Sequence, residues 1–217
     1  MEDRFLCIFC DRRHFNTESY IRETYLGVCK ECNDRLPRIP KDGVFYGTHS
    51  TDSLFSVFYY KDLIKRSVIR YKFQGQRRYS KIYVELMYEF LKDLNLSDSF
   101  DLMTSVPLSR KRFYERGFSQ TEILASPLAK RLGIPFSANC IFKTRHTAKQ
   151  STLRGIAQKR ENVEDAYLAD RPKIYDKKIL LLDDVFTTGS TVESCAKELL
   201  DKGADCVTVI TLAKTSY

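Results

Sequence analysis

The sequence predicts an α/β protein: a parallel sheet flanked by helices and preceded by a small N-terminal metal-binding module. Three observations carry this. The run Ile179-Leu180-Leu181-Leu182 reads as a strand buried on both faces, and it stops at two adjacent carboxylates, Asp183 and Asp184. Residues 206–213 form a second continuous apolar run, and the segment between the two carries a helical stripe of Val192, Cys195, Ala196, Leu199 and Leu200, a β-α-β order. Near the N-terminus two Cys-x2-Cys pairs, Cys7 with Cys10 and Cys29 with Cys32, are separated by eighteen residues.

A chain of 217 residues with 43% hydrophobic content can hold one ordinary domain and a small appendage. No run is long and apolar enough to cross a membrane and none reads as a signal-peptide core, so the expectation is a cytoplasmic protein with no membrane insertion. In that reducing compartment seven cysteines do not suggest a disulfide framework. The doubled spacing suits four thiolates around a structural Zn2+, with His14 as a possible substitute ligand. Cys140, Cys195 and Cys206 lie in apolar contexts and are expected in the core. Residues 33–43, with Pro37, Pro40 and Gly43, read as a linker. The division that follows is a zinc module at 1–42 and a main domain at 43–217, its hairpin and helices at 43–98 and its core at 99–217.

Along the main domain, 44–48 and 54–60 suggest a hairpin, 61–73 and 81–94 helices, the second with Tyr83, Leu86, Met87, Phe90 and Leu91 on one face. The formal charge of +8 fits an anionic partner without choosing one. Lys65, Arg66, Arg70, Lys72, Arg77, Arg78 and Lys81 occur with no acid among them and with Tyr71, Phe73 and Tyr79 interleaved. Such a tract can hold a nucleic-acid backbone and stack bases, or it can be a solvated helix face over core aromatics. Residues 100–107 read as a strand ended by Pro107. Arg110, Lys111, Arg112 and Arg116 follow, four charges that can hold a pyrophosphate. Ser119 with Glu122 would cap the next helix, and Pro127 should kink or split it. A further strand is expected at 138–143. From 143 to 160 there are six Lys or Arg residues and no acid, a lid or binding arm or else a surface loop between two core strands.

The acids at 183–184 are followed by Thr187, Thr188, Gly189, Ser190 and Thr191. Ser190 with Glu193 has capping-box spacing, and Gly203 would end the helix. Freed N–H groups at a helix start, a glycine and four hydroxyls make a phosphate cradle. Asp183 and Asp184 would repel a phosphate, and sugar hydroxyls or a magnesium ion would suit them. The inferred ligand is a sugar phosphate.

This stretch resembles the phosphoribosyl pyrophosphate signature of type I phosphoribosyltransferases. Three pieces together, the paired Cys-x2-Cys knuckles with this signature, Arg116-Gly117-Phe118-Ser119-Gln120, and the spaced Arg145, Gln150, Leu153, Arg160 and Asn162, resemble the ComF family of phosphoribosyltransferase-like competence proteins. Ser119 departs from the asparagine usual there. The resemblance implies a type I phosphoribosyltransferase-like sheet, binding of phosphoribosyl pyrophosphate with Mg2+, Asp183 and Asp184 as catalytic residues, and Arg145 and Gln150 in a flexible loop near the pyrophosphate. It also implies a part in single-stranded DNA uptake during natural transformation, beside a competence helicase. Three functions stand open at this point: that competence role, an active phosphoribosyltransferase of unknown acceptor, and a structural adaptor docking through the zinc module.

Overall fold

The structure, a computed structural model of the chain, describes residues 4–23, 26–40, 45–46, 51–96, 99–108, 113–115, 117–144 and 167–215. The cysteine-rich region folds as strands β1 (Arg4–Cys7), β2 (Arg13–Phe15), β3 (Ser19–Glu23) and β4 (Leu26–Cys29), in the order β2-β1-β4-β3. Helix α1 (Lys30–Asp34) follows at once, and the Cys29 Sγ caps it by accepting the Cys32 N–H at 3.4 Å. The second Cys-x2-Cys pair is therefore a helix start.

Next come β5 (Phe45–Tyr46), β6 (Ser53–Tyr59), α2 (Asp62–Phe73), α3 (Ser80–Asp93) and β7 (Leu102–Ser105). They are followed by α4 (Gln120–Leu132), β8 (Ile141–Lys143), β9 (Tyr167–Ala169), α5 (Arg171–Ile174), β10 (Lys178–Phe186), α6 (Ser190–Asp201) and β11 (Cys206–Lys214). The main sheet has the order β5-β6-β11-β10-β7, parallel except for the β5–β6 hairpin.

Successive side chains of a strand point to opposite faces, so β10 feeds two cores. Leu180 and Leu182 pack with α2, α3 and α4 through Ile64, Tyr71, Leu86 and Leu124. Ile179 and Leu181 pack with α6 through Val192, Cys195 and Leu199. The first core continues into the cysteine-rich sheet through Phe5, Ile8, Phe9 and Val28. Arg70 of α2 locks the two together: its guanidinium donates to the carbonyls of Ile8 at 2.9 Å and Phe9 at 3.3 Å and pairs with Asp11.

Several expectations need correction. The strand containing the acids does not stop at Leu182; it keeps its pairing with β11 through Asp183 and on to Phe186. The strand expected at 138–143 is no part of the main sheet, because β8 pairs antiparallel with β9 beside α6. The chain reaches that face by passing round the sheet edge, where Met103 N–H donates to Pro135 O at 2.8 Å and Ser137 N–H to Met103 O at 3.0 Å. Pro127 does not split its helix: α4 is one element from Gln120 to Leu132, even though proline removes one helical hydrogen bond and crowds the carbonyl four residues back. Within the linker, residues 37–39 are tied to the main sheet: Ile39 N–H donates to Val57 O at 3.1 Å and Tyr59 N–H to Pro37 O at 2.8 Å. Cys206 is half-buried at a strand start, whereas Cys140 and Cys195 are core residues as expected. The hairpin, the helices at 61–73 and 81–94, and the last strand stand where the sequence puts them.

Replacing Arg70 by Ala removes a charged donor from two carbonyls and from Asp11, and charge-assisted bonds of this kind are the strong ones. The expected loss is about 2–4 kcal/mol, read as a lower denaturation midpoint; an unchanged midpoint would show that the clamp is unimportant.

Candidate functional site

The helices following β7 and β10 lie on opposite faces of the sheet, although the strands are neighbours. Their carboxyl ends therefore part, and ligands of open α/β sheets bind in such a crevice. Here it opens into a cavity of about 430 Å³ lined by Val106 and Pro107 from the end of β7 and by all residues from Asp183 to Val192. Gln120 and Thr121 form part of its wall, at the start of α4.

Hydrogen bonds fix the rim. Thr121 Oγ1 donates to Val106 O at 3.0 Å, Tyr71 Oη donates to Gln120 O at 2.9 Å, and Ser119 Oγ accepts the Glu122 N–H at 3.3 Å. The cap expected at Ser119 is thus formed. The cap expected at Ser190 is not, because the helix begins one residue earlier than the capping-box spacing requires. Gly189 occupies the capping position with φ of +82°, and Ser190 Oγ instead meets Thr188 Oγ1 at 3.2 Å. A side chain at Gly189 would be strained by that dihedral and would also place a Cβ 2.7 Å from the Phe186 ring. The loop Thr187 to Thr191 consequently presents hydroxyls and a close main chain to the cavity.

The two acids differ. Asp184 is buried, and Lys72 Nζ, at the end of α2, lies 2.7 Å from its Oδ1, with side-chain exposures of only 16% for Lys72 and 12% for Asp184. Asp183 is half-buried, and its Oδ1 accepts the Asp184 N–H at 2.8 Å. Removing one partner of a buried ion pair costs about 3–5 kcal/mol, so the Lys72 contact is a fixed part of this floor. Burial, and then the negative charge of Asp184, push the phenols of Tyr60 and Tyr71 above their ordinary range, keeping both as neutral hydroxyls.

Tyr60 and Thr121 are crevice residues that the sequence reading missed, while Lys72 and Gln120 were named there only in the basic tract and in a family motif. A signal existed for Lys72: it follows the buried Ile64 and Val68 at spacings of eight and four, so it stands at the end of an inward stripe. Arg110, Lys111, Arg112, Arg116, Arg145 and Gln150 lie outside the described residues. So do residues 145–160 of the 143–160 segment read as a lid, arm or surface loop.

The basic tract divides. Arg70 and Lys72 turn inward to the contacts already given, which corrects their place in a nucleic-acid face. Lys65, Arg66, Arg77 and Arg78 remain exposed. Arg77 stacks 4.1 Å from the Phe118 ring centroid and donates to Gly117 O at 3.3 Å.

In the N-terminal sheet the Sγ atoms of Cys7, Cys10, Cys29 and Cys32 all lie within 4.8 Å of one another. Tetrahedral zinc with Zn–S bonds of about 2.3 Å needs sulfurs about 3.8 Å apart, so the group fits a metal ion after small adjustments. His14 Nε2 is 3.3 Å from Cys10 Sγ while its Nδ1 faces Glu18 Oε2 at 3.3 Å. That places it behind a ligand, as a hydrogen-bonding support. Burial opposes a thiolate at Cys7, but backbone hydrogen bonds outweigh it and lower its pKa; burial raises Cys29 to about 11 and Cys32 higher still.

Residues 120–216, which hold most of the crevice lining, match the family described as phosphoribosyl transferase domain. Competence protein F of Haemophilus influenzae is 27% identical over 210 residues, covering 87% of this chain and 90% of the relative. Competence protein ComFC of Bacillus subtilis is 26% identical, covering 98% and 96%. The DNA utilization protein YhgH of Escherichia coli is 37% identical over 115 residues, covering 53% of this chain; the match spans about half (50%) of that relative's length. Among solved structures, orotate phosphoribosyltransferase from Aeropyrum pernix is similar with a TM-score of 0.40 and 16% identity, covering 85% of this chain and 78% of that one. Along nearly its whole length the chain is thus similar to ComFC-like competence proteins, and its C-terminal part matches the phosphoribosyl transferase domain.

Proposed function

We propose that this protein binds phosphoribosyl pyrophosphate in the strand-end crevice and serves single-stranded DNA uptake in natural transformation. The observation that carries the ligand is the meeting of Asp183, Asp184 and the Thr187–Thr191 loop on one cavity of about 430 Å³. The 5-phosphate would sit against the loop N–H groups and hydroxyls, and the ribose hydroxyls would reach the two carboxylates. Arg110, Lys111, Arg112 and Arg116, with Arg145 and Gln150, are assigned to the pyrophosphate. Asp183 and the loop hydroxyls are hard oxygen donors that suit Mg2+ held together with a phosphorylated ligand. Bound there, the ion would neutralise charge on a leaving pyrophosphate.

Displacement at the anomeric carbon needs no protein nucleophile, only fixed phosphate ends and a stabilised oxocarbenium-like centre. The acids and hydroxyls present on the cavity favour an active transferase as the second reading. A purely structural adaptor would leave the cavity without a role. The competence role rests on the relatives' names and on the exposed Lys65, Arg66, Arg77 and Arg78. The chain divides in this proposal at residues 42 and 43, the first part holding a structural Zn2+ and the second the sugar phosphate.

Three measurements test this. Calorimetric titration with phosphoribosyl pyrophosphate and Mg2+ should show one site, and Asp183→Asn with Asp184→Asn should weaken it at least roughly tenfold, the scale of one lost charged hydrogen bond; equal binding by the variant would remove the ligand from this crevice. Single-stranded DNA should bind with an affinity that falls steeply with salt. Arg77→Glu with Arg78→Glu should flatten that slope, and an unaltered slope would move the DNA role to a partner. Metal analysis should find one zinc per chain in protein purified without chelator, and Cys29→Ser should lose it; zinc-free parent protein would end the metal reading.

A further inference from the structure

The charge of the acidic pair is not what its sequence suggests. Asp184 already holds a cation: Lys72 Nζ is 2.7 Å from its Oδ1, and both side chains are mostly withdrawn from solvent. Lys72 also lines the cavity itself, together with the loop hydroxyls. Its ammonium carries three N–H donors and the Asp184 Oδ1 contact accounts for one.

We infer that Lys72 is a resident counter-ion and ligand-positioning residue of the sugar-phosphate site, doing part of the charge neutralisation that a divalent cation would otherwise supply. Three considerations support this. First, with Lys72 in place the floor made by Asp183 and Asp184 carries one net negative charge in place of two, so an incoming polyphosphate meets less repulsion. Second, Lys72 sits at the last turn of α2, where the partial negative charge of the helix end favours a cation, and the Ile64–Val68–Lys72 stripe holds the stem against the core. Third, an ammonium can donate to a carboxylate and a phosphate oxygen at once, whereas displacing Lys72 would leave Asp184 as a buried, unpaired carboxylate. A ligand is therefore expected to join the pair and leave it intact. Asp184 keeps its second oxygen for a ribose hydroxyl.

This inference rests on the sugar-phosphate reading of the crevice, and its test separates the two. Phosphoribosyl pyrophosphate is titrated into the full-length parent, Lys72→Met and Lys72→Arg, each in excess Mg2+ and in chelator, with ribose 5-phosphate as a probe of the phosphate loop alone. The parent should lose no more than about tenfold in affinity when Mg2+ is removed, while Lys72→Met should lose roughly a hundredfold, the scale of one to two charged contacts. Lys72→Arg, which keeps the charge, should follow the parent, and ribose 5-phosphate in Mg2+ should bind all three alike. A merely structural role for Lys72 would weaken both ligands by the same factor with and without Mg2+, and that pattern overturns the inference. So does equal Mg2+ dependence in parent and Lys72→Met. Failure of the parent to bind either sugar phosphate in Mg2+ overturns the ligand reading as well. If Lys72→Met does not fold, Lys72→Gln, which can still hydrogen-bond Asp184 without a charge, gives the same comparison.

Discussion

Strand β10 is sealed on both faces from Ile179 to Leu182, so polar groups on it can reach solvent only at its two ends. Leu180 and Leu182 fill one core and Ile179 and Leu181 the other, which leaves no room for a charge between Lys178 and Asp183. The neighbouring β7 sends its chain to one face and β10 sends its chain to the opposite face. The segments that follow therefore diverge, and the crevice is a consequence of topology before any ligand is considered. Thr121, Tyr71 and Ser119 only stiffen a gap that the strand order has already made.

The same constraint disposes the charge. A chain of +8 could spread its cations over the surface, yet two of the most central ones are spent inside the molecule. Arg70 joins the cysteine-rich sheet to α2, and Lys72, two residues later, meets Asp184 in the crevice. Residues two apart on a helix project in different directions, so one short stretch of α2 reaches both the cysteine-rich end of the molecule and the crevice. The cysteine cluster and the crevice are thus connected through a single helix and one continuous core, although their chemistry has nothing in common.

Much of this was legible in the sequence because it depends on local pattern. The continuous apolar runs named β10 and β11, the stripe named α6, the doubled Cys-x2-Cys spacing named the four clustered thiols, and Ser119 with Glu122 named a real cap. What was hidden depends on contacts between distant segments. The antiparallel pairing of β8 with β9 could not be read, since a strand of three residues does not say which sheet it joins. Ser190 matched a capping motif by spacing, but the positive φ of Gly189 moved the helix start by one residue. Lys72 looked like one more charge in a basic tract; only the approach of α2 to the end of β10 shows that its partner is a carboxylate 112 positions away.

The central claim is that the loop from Thr187 to Thr191 is a phosphate site at the end of β10. The most direct measurement is an amide NMR titration of the isotopically labelled protein with ribose 5-phosphate. Saturable shifts concentrated on the Thr187, Thr188, Gly189, Ser190 and Thr191 amides are the predicted result. Shifts centred elsewhere, or none at saturating ligand, would contradict it.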